Sequence, residues 1–129
     1  MKKEDVSVLV VDDSDHIRAL FAMTMRKAGI SKVYYAVDGE DGFEKFKQFK
    51  PSIVFLDNML PKITGMEVLK QMKNLNPTAI IVMISAVSNI ETVQEAKANG
   101  AVYYIVKPYM PNKVIEVMEK LLQIDGPIV

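Results

Sequence analysis

The sequence predicts an α/β protein in which five strands alternate with five helices. Short apolar runs rich in β-branched residues alternate with longer segments in which apolar residues recur every three or four positions. This alternation is typical of parallel strands joined by helical crossovers. Residues 80–84 are apolar without interruption, as in a strand buried on both faces. We therefore expect one open parallel sheet with helices on both sides.

In the N-terminal half, a strand over residues 6–11 precedes Ser14, a typical helix N-cap. The helix that follows has the apolar periodicity of an amphipathic helix and is predicted to end at Gly29. A less apolar strand over residues 33–37 is expected near the sheet edge. Asp38 is interpreted as a turn or capping residue before the second helix, without a role in a site.

In the C-terminal half, the same alternation continues to the last helix. The predicted strands and helices lie at residues 53–56, 66–74, 79–84, 90–98 and 103–106, and from Pro111 onward. The run at 79–84 is the most apolar and is predicted as a central strand. Pro111 is tolerated in the first turn of the final helix because its missing N–H would have no helical partner there.

Length and composition fit one globular domain spanning residues 1–129, half hydrophobic (50%) and a quarter charged (25%). Sixteen basic and 16 acidic residues leave no net charge, which argues against nucleic-acid binding. The absence of cysteine excludes disulfides and thiolate chemistry. No apolar run is long enough for a signal peptide or membrane span, so we expect a cytoplasmic protein without membrane insertion. Residues 124–129 are too few to begin an output domain.

Polar side chains stand at the ends of four predicted strands. Asp12 and Asp13 follow the first strand, Asp57 the third, Ser85 the fourth and Lys107 the last. Ligands of open parallel sheets bind outside the carboxyl ends of the strands, so these five side chains are expected to converge. A single aspartate at a strand end usually caps a helix. Four strand ends carrying polar groups on one edge favour a functional site.

The three carboxylates require a compensating charge. Two carboxylates about 4 Å apart repel by roughly 4 kcal/mol at an effective dielectric constant near 20. Lys107 supplies one positive charge against three negative ones. A site made of oxygen ligands suits Mg²⁺, which favours carboxylates together with phosphate oxygens. The sequence therefore predicts a site for Mg²⁺ and a phosphate group.

Short motifs surround these residues in a characteristic order. They are Val10-Val11-Asp12-Asp13-Ser14 with Ile17-Arg18, then Asp57 followed by Met59-Leu60-Pro61 and Gly65, then Ser85-Ala86, and finally Lys107-Pro108. Together they resemble the receiver domains of bacterial and archaeal two-component response regulators, over essentially the whole chain. The resemblance implies a flavodoxin-like (βα)5 fold with strand order 2-1-3-4-5.

The resemblance also implies a phosphoacceptor site. Asp57 matches the carboxylate nucleophile that forms an acyl phosphate. Asp13 matches the direct Mg²⁺ ligand and Asp12 the acid that acts through water. Asp57 itself and the main-chain carbonyl of Met59 would complete the protein ligands. Such a domain is a switch that assists its own phosphoryl transfer, rather than an enzyme with turnover.

Further implied roles concern the response to phosphorylation. Ser85 matches the hydroxyl that bonds a phosphoryl oxygen, and Lys107 the cation that pairs with another. Tyr104 matches the aromatic residue that fills the space left when Ser85 moves, whereas Tyr103 should point to the other face of the sheet. A cis peptide bond, frequent in the family at this place, is expected at Lys107-Pro108.

The implied partners are proteins. A histidine kinase or phosphotransfer protein would donate the phosphoryl group. A downstream target would bind the face formed by the fourth helix, last strand and last helix, with Ile90, Val93 and Lys97 contributing. The resemblance is to stand-alone, chemotaxis-type regulators without a DNA-binding output, and the motifs do not choose between chemotaxis, a phosphorelay and another pathway.

Two positions predict a long-lived phosphoryl group. In the family, the residues two beyond the acceptor and two beyond the switch hydroxyl flank the path of the hydrolytic water. Met59 and Val87 occupy them here. Neither side chain can orient water, so slow self-dephosphorylation is expected.

Three alternative interpretations remain at this stage. Asp13-Ser14-Asp15 spells the D-x-D signature of haloacid-dehalogenase-type phosphatases, but no acidic pair follows Lys107. A degenerate receiver that never takes phosphate would usually lack one of the acids or the lysine. A flavin-binding flavodoxin would need a phosphate loop after the first strand. The single histidine, His16, is interpreted as a solvated residue rather than a ligand.

Overall fold

The computed structural model describes residues 1–125 and contains one five-stranded sheet in the order β2-β1-β3-β4-β5. All neighbouring strands are parallel. The strands are β1 (Ser7–Val11), β2 (Lys32–Ala36), β3 (Ile53–Asp57), β4 (Ile81–Ser85) and β5 (Tyr103–Val106). The helices are α1 (Asp15–Lys27), α2 (Gly39–Phe49), α3 (Gly65–Leu75), α4 (Ile90–Ala98) and α5 (Pro111–Leu122), after a short 3₁₀ turn at Lys3–Asp5. The predicted fold class and strand order are confirmed, whereas the expectation for residues 126–129 falls outside the described residues.

Side-chain caps begin most of the helices where the sequence predicts. The Ile17 N–H donates to Ser14 Oγ at 3.2 Å, and the Asp41 N–H donates to Asp38 Oδ1 at 2.8 Å. Asp38 is thus a capping residue, as predicted. At the other end of α1, Gly29 has φ of 75°, a left-handed conformation that glycine adopts without strain.

Two apolar layers cover the sheet. Helices α1 and α5 pack on one face, where Phe21 and Met118 are among the buried side chains. Helices α2, α3 and α4 pack on the other face, where Leu69 and Met72 are fully buried. Because both faces are covered, every residue of β3 is buried.

One strand differs from its predicted bounds. The run at 79–84 forms an interior strand, as predicted, with β3 on one side and β5 on the other and all five residues buried, but β4 starts only at Ile81. Lys73 Nζ donates to the carbonyls of Pro77 and Ala79, at 2.6 and 2.9 Å. The carbonyls of Pro77 and Ala79 are thus bound by a side chain, whereas the Ile80 carbonyl already accepts from the Val54 N–H of β3 at 2.9 Å. The less apolar β2 is at the edge, as predicted.

Candidate functional site

The predicted site residues meet where the strands end. Asp57 and Ser85 are the last residues of β3 and β4, and Asp12, Asp13 and Lys107 directly follow β1 and β5. Each of the three aspartates offers a carboxylate oxygen, and these oxygens lie within 4.8 Å of one another. We call these five residues the acidic rim. The parallel sheet thus brings together side chains that are up to 95 positions apart in the sequence.

The Lys107 ammonium group pairs with the two buried carboxylates of the acidic rim. Its Nζ lies 3.3 Å from Asp12 Oδ2 and 3.3 Å from Asp57 Oδ2. Asp12 and Asp57 are only 4% and 5% exposed, whereas Asp13 is exposed to solvent. One ammonium group is therefore shared between two buried carboxylates, and a net negative charge remains.

The loop after β3 is fixed by main-chain contacts. The Met59 N–H donates to Asp57 Oδ1 at 3.0 Å, and the Gly65 N–H donates to the carbonyl of Asn58 at 3.0 Å. A Cβ atom on Gly65 would lie 2.1 Å from the carbonyl oxygen of Asp57, far inside van der Waals contact. Only glycine therefore allows α3 to begin so close to the end of β3.

The loop after β1 is fixed by Arg18, a contact that the sequence did not reveal. Arg18 Nη1 donates to the carbonyl of Asp12 at 2.7 Å, and Arg18 also pairs with Asp15. The Ser14 N–H donates to Asp12 Oδ1 at 2.8 Å. Arg18 belongs to the first motif, and that was the only signal that could have drawn attention to it.

The surroundings of Asp57 disfavour the ionisation of its carboxyl group. Burial, mainly, and the negative charge of Asp12 raise the pKa of Asp57, whereas the Met59 N–H and Lys107 act in the opposite direction. Tyr109 responds to the same charges. Burial together with the carboxylates of Asp12 and Asp57 raises the pKa of Tyr109 to about 12. Sequence inspection gave Tyr109 no role, because its nearness to these acids depends on the course of the loop after β5.

Ser85 and Tyr104 both contact the main chain of Val87. The Val87 N–H donates to Ser85 Oγ at 3.1 Å, and the Tyr104 hydroxyl donates to the Val87 carbonyl at 2.6 Å. Ser85 is fully buried and Tyr104 half-buried. Tyr103 packs on the α1/α5 face and Tyr104 on the opposite face, as predicted from strand alternation.

The remaining predicted features lie where the sequence suggested. The Lys107-Pro108 peptide bond is cis. His16 is exposed at the start of α1, and the Met59 side chain is 62% exposed beside the acidic rim. The side chain of Asp15, the second acid of the D-x-D sequence, is 97% exposed and is not part of the carboxylate cluster. In residues 1–125, no helix is both long and apolar enough to cross a membrane.

A sheet of this order with an acidic cluster at its carboxyl edge defines a class of signalling domain. The family model for the response regulator receiver domain matches residues 8–119. The chain therefore belongs to the response regulator receiver domain family. Members of this family are signalling switches of two-component systems rather than classical enzymes, and they bind Mg²⁺ at an acidic pocket.

Individual relatives agree with this assignment along most of the chain. The chemotaxis protein CheY of Thermotoga maritima is 35% identical over 114 residues, which are 88% of this chain and 95% of the relative. CheY of Bacillus subtilis is 33% identical over 115 residues, 89% of this chain and 96% of the relative. The solved CheX–CheY–BeF3–Mg²⁺ complex from Borrelia burgdorferi is similar with a TM-score of 0.88 and 29% identity, covering 92% of this chain and 90% of that one.

Proposed function

We propose that the chain is a phosphoacceptor receiver domain in which Asp57 takes a phosphoryl group with Mg²⁺ bound beside it. The observation that carries the proposal is the cluster of three carboxylates, with ligand oxygens within 4.8 Å of one another, of which Asp12 and Asp57 share one lysine. An excess of buried negative charge is unfavourable unless a cation occupies the site. The same charge pattern would suit a phosphoryl group once the cation is present.

The donor set fits Mg²⁺. Carboxylate and carbonyl oxygens are the protein ligands that this cation prefers. Asp13, Asp57 and the carbonyl of Met59 would hold it, with Asp12 acting through water. When bound, Mg²⁺ supplies positive charge that stabilises the transferring phosphoryl group.

The other residues of the acidic rim have distinct tasks in the proposed transfer. A carboxylate oxygen of Asp57 forms a bond to phosphorus while the bond between phosphorus and the donor histidine nitrogen breaks. Lys107 already contacts Asp57 Oδ2 and would pair with a phosphoryl oxygen. The Met59 N–H holds Asp57 Oδ1, which fixes the orientation of the nucleophile before transfer.

The proposed switch runs through Val87. The Ser85 hydroxyl would donate to a phosphoryl oxygen while Oγ accepts from the Val87 N–H, so a shift of Ser85 towards the phosphoryl group would pull on the main chain of Val87. The loop that carries Val87 would then move, and with it the carbonyl that holds the Tyr104 hydroxyl. Ser85 and Tyr104 would therefore change position together, because one residue binds both.

The proposed output is a protein contact. Three apolar side chains lie exposed on the face formed by α4, β5 and α5: Ile90 at 65%, Val106 at 42% and Met110 at 72%. Val93 and Lys97 of α4 would contribute beside them. The donor would be a histidine kinase or phosphotransfer protein, and the zero net charge favours a protein target over DNA. We infer a cytoplasmic, chemotaxis-type regulator in which residues 1–129 form a single receiver domain, in line with the CheY relatives.

The direct test is the intact mass after incubation with Mg²⁺ and acetyl phosphate. The unmodified chain should gain one phosphoryl group, and Asp57→Asn should gain none. Asp5→Asn is the matched control, because Asp5 is exposed and outside the cluster, and it should be labelled like the unmodified chain. Labelling of Asp57→Asn would show that another residue is the acceptor. Repeated turnover of a chromogenic phosphate ester would support the phosphatase alternative instead.

A further inference from the structure

A cavity of about 420 Å³ adjoins the acidic rim between α1 and the loop that follows β5. Lys107 and Ala86 line it at the end nearest the acidic rim. Its volume falls within the range of sites that bind small molecules, about 300–1,000 Å³. The proposed function does not use this cavity, because a phosphoryl group needs only the rim itself.

The walls of the cavity are mainly apolar. Phe21 and Val114, both buried, belong to the core beneath it, and Leu20, which is 40% exposed, stands at its open side. Pro108 and Pro111 line the wall opposite α1. The lining thus combines an apolar surface with the Lys107 ammonium group at one end. Because Asp12 and Asp57 share that ammonium group, this end is complementary to an anionic group when Mg²⁺ neutralises the acids, and the apolar surface is complementary to an apolar body.

We propose that this cavity binds the apolar body of an organic acyl phosphate, whose phosphoryl group lies against Lys107 and Asp57. The inference rests on the proposed acceptor role of Asp57. It adds a binding site for the organic part of an acyl phosphate donor. The bond between phosphorus and the acyl oxygen breaks, a bond between phosphorus and an Asp57 carboxylate oxygen forms, and the free carboxylate leaves with the apolar body. The total charge is conserved, since a dianionic donor and a carboxylate become a carboxylate and a dianionic acyl phosphate.

The expected consequence is a preference for donors with a branched acyl chain. Acetyl phosphate and isovaleryl phosphate release carboxylates of nearly equal basicity, so their intrinsic reactivity is matched. The three additional carbons of the isovaleryl group would be buried in the cavity. Burial of roughly 60 Å² of apolar surface corresponds to about tenfold in affinity. Isovaleryl phosphate should therefore label Asp57 at least about tenfold more efficiently at low donor concentration.

The experiment measures the rate of phosphoryl gain by intact mass, with Mg²⁺, for both donors. In Leu20→Asn, the ratio of the two efficiencies should fall towards one, because an amide replaces an exposed part of the apolar wall. Met23→Asn is the matched control. Met23 lies on the same helix, is 51% exposed and does not line the cavity. The ratio of the two labelling efficiencies in Met23→Asn should therefore equal that of the unmodified chain.

Equal efficiency of the two donors in the unmodified chain would overturn the inference and leave the proposed function intact, since acetyl phosphate would still label Asp57. A preference that persists in Leu20→Asn would also overturn it, because the preference would then arise elsewhere. Labelling by neither donor, in protein that circular dichroism shows to be folded, would contradict the acceptor role and this inference together.

Discussion

At the amino ends of β1 and β3, two uncharged serines hydrogen-bond to each other. The Ser7 N–H donates to Ser52 Oγ at 3.1 Å, and the Ser52 N–H donates to Ser7 Oγ at 3.0 Å. We call this serine pair the amino rim. At the acidic rim, three carboxylates lie close together, and two of them share Lys107. The same strands, β1 and β3, therefore begin at hydrogen bonds that stabilise the fold and end at charges that lower its stability until a cation binds.

The largest expected effect is that of Gly65→Ala, because a steric clash with the end of β3 should distort the acidic rim. The added Cβ would meet the carbonyl oxygen of Asp57 at 2.1 Å, so the loop or the start of α3 has to move. We expect the free energy of unfolding, measured with urea, to fall by about 3 kcal/mol. Phosphorylation of Asp57 should slow, because the Met59 N–H that orients it lies in the same loop.

Glu67→Ala is the control for this prediction, because Glu67 is exposed in the first turn of the same helix. Its effect on stability should stay within about 0.5 kcal/mol. If Gly65→Ala were as stable as this control, that result would contradict the close contact between the start of α3 and the end of β3.

Asp57→Asn should stabilise the protein by about 1–2 kcal/mol without Mg²⁺, because it removes one of the repelling buried charges. The amide oxygen can still accept from the Met59 N–H. Since the folded protein raises the pKa of Asp57, the ionised group lowers stability at pH values above that pKa. The advantage of asparagine should be full at pH values above the pKa of folded Asp57 and shrink as the pH falls through that pKa.

The effect of Mg²⁺ on stability tests whether charge repulsion at Asp57 is the cause. The cation should raise the melting temperature of the unmodified chain more than that of Asp57→Asn, and chelation with EDTA should reverse the change. A variant that is less stable than the unmodified chain in EDTA at neutral pH would mean that the Lys107 contact outweighs the repulsion.

The comparison of the rims also shows which parts of the site a sequence reveals. Asp57, Ser85 and Lys107 could be placed because each directly follows an apolar strand, and parallel strands end on one edge. The contact of Arg18 with the Asp12 carbonyl and the nearness of Tyr109 to the acids could not. They depend on how a helix and a loop pack against the strand ends, and no periodicity encodes that.

The start of β4 was misplaced for a related reason. Residues 79 and 80 are as apolar as the strand that follows, so the pattern continues without a break. The Lys73 ammonium group binds the carbonyls of Pro77 and Ala79, so these two carbonyls do not pair with a neighbouring strand. A side chain that binds main-chain carbonyls four and six positions away is invisible to a pattern of apolar residues.

A third prediction concerns how long the acidic rim keeps its phosphoryl group. Met59, which is 62% exposed, and Val87 lie at the two positions expected to flank the hydrolytic water. Replacing them together, as Met59→Asn with Val87→Gln, should speed loss of phosphate by about tenfold, because amide groups can orient water. The rate is followed by intact mass after removal of the donor. Met110→Asn, an exposed methionine outside the rim, should leave it unchanged, and an unchanged rate in the double variant would refute the assignment.

The smallest expected effect belongs to the amino rim. Ser52→Ala removes the hydroxyl that accepts from the Ser7 N–H, and this partly buried donor loses its partner. The free energy of unfolding should fall by about 1 kcal/mol, with no dependence on pH or Mg²⁺, since no charge is involved. Thr78→Ala removes an exposed hydroxyl bonded to Asn76 and should cost less. If Ser52→Ala instead responded to Mg²⁺ like the acidic-rim variants, the two rims would be coupled through the strands, and their separation into a stabilising and a functional edge would fail.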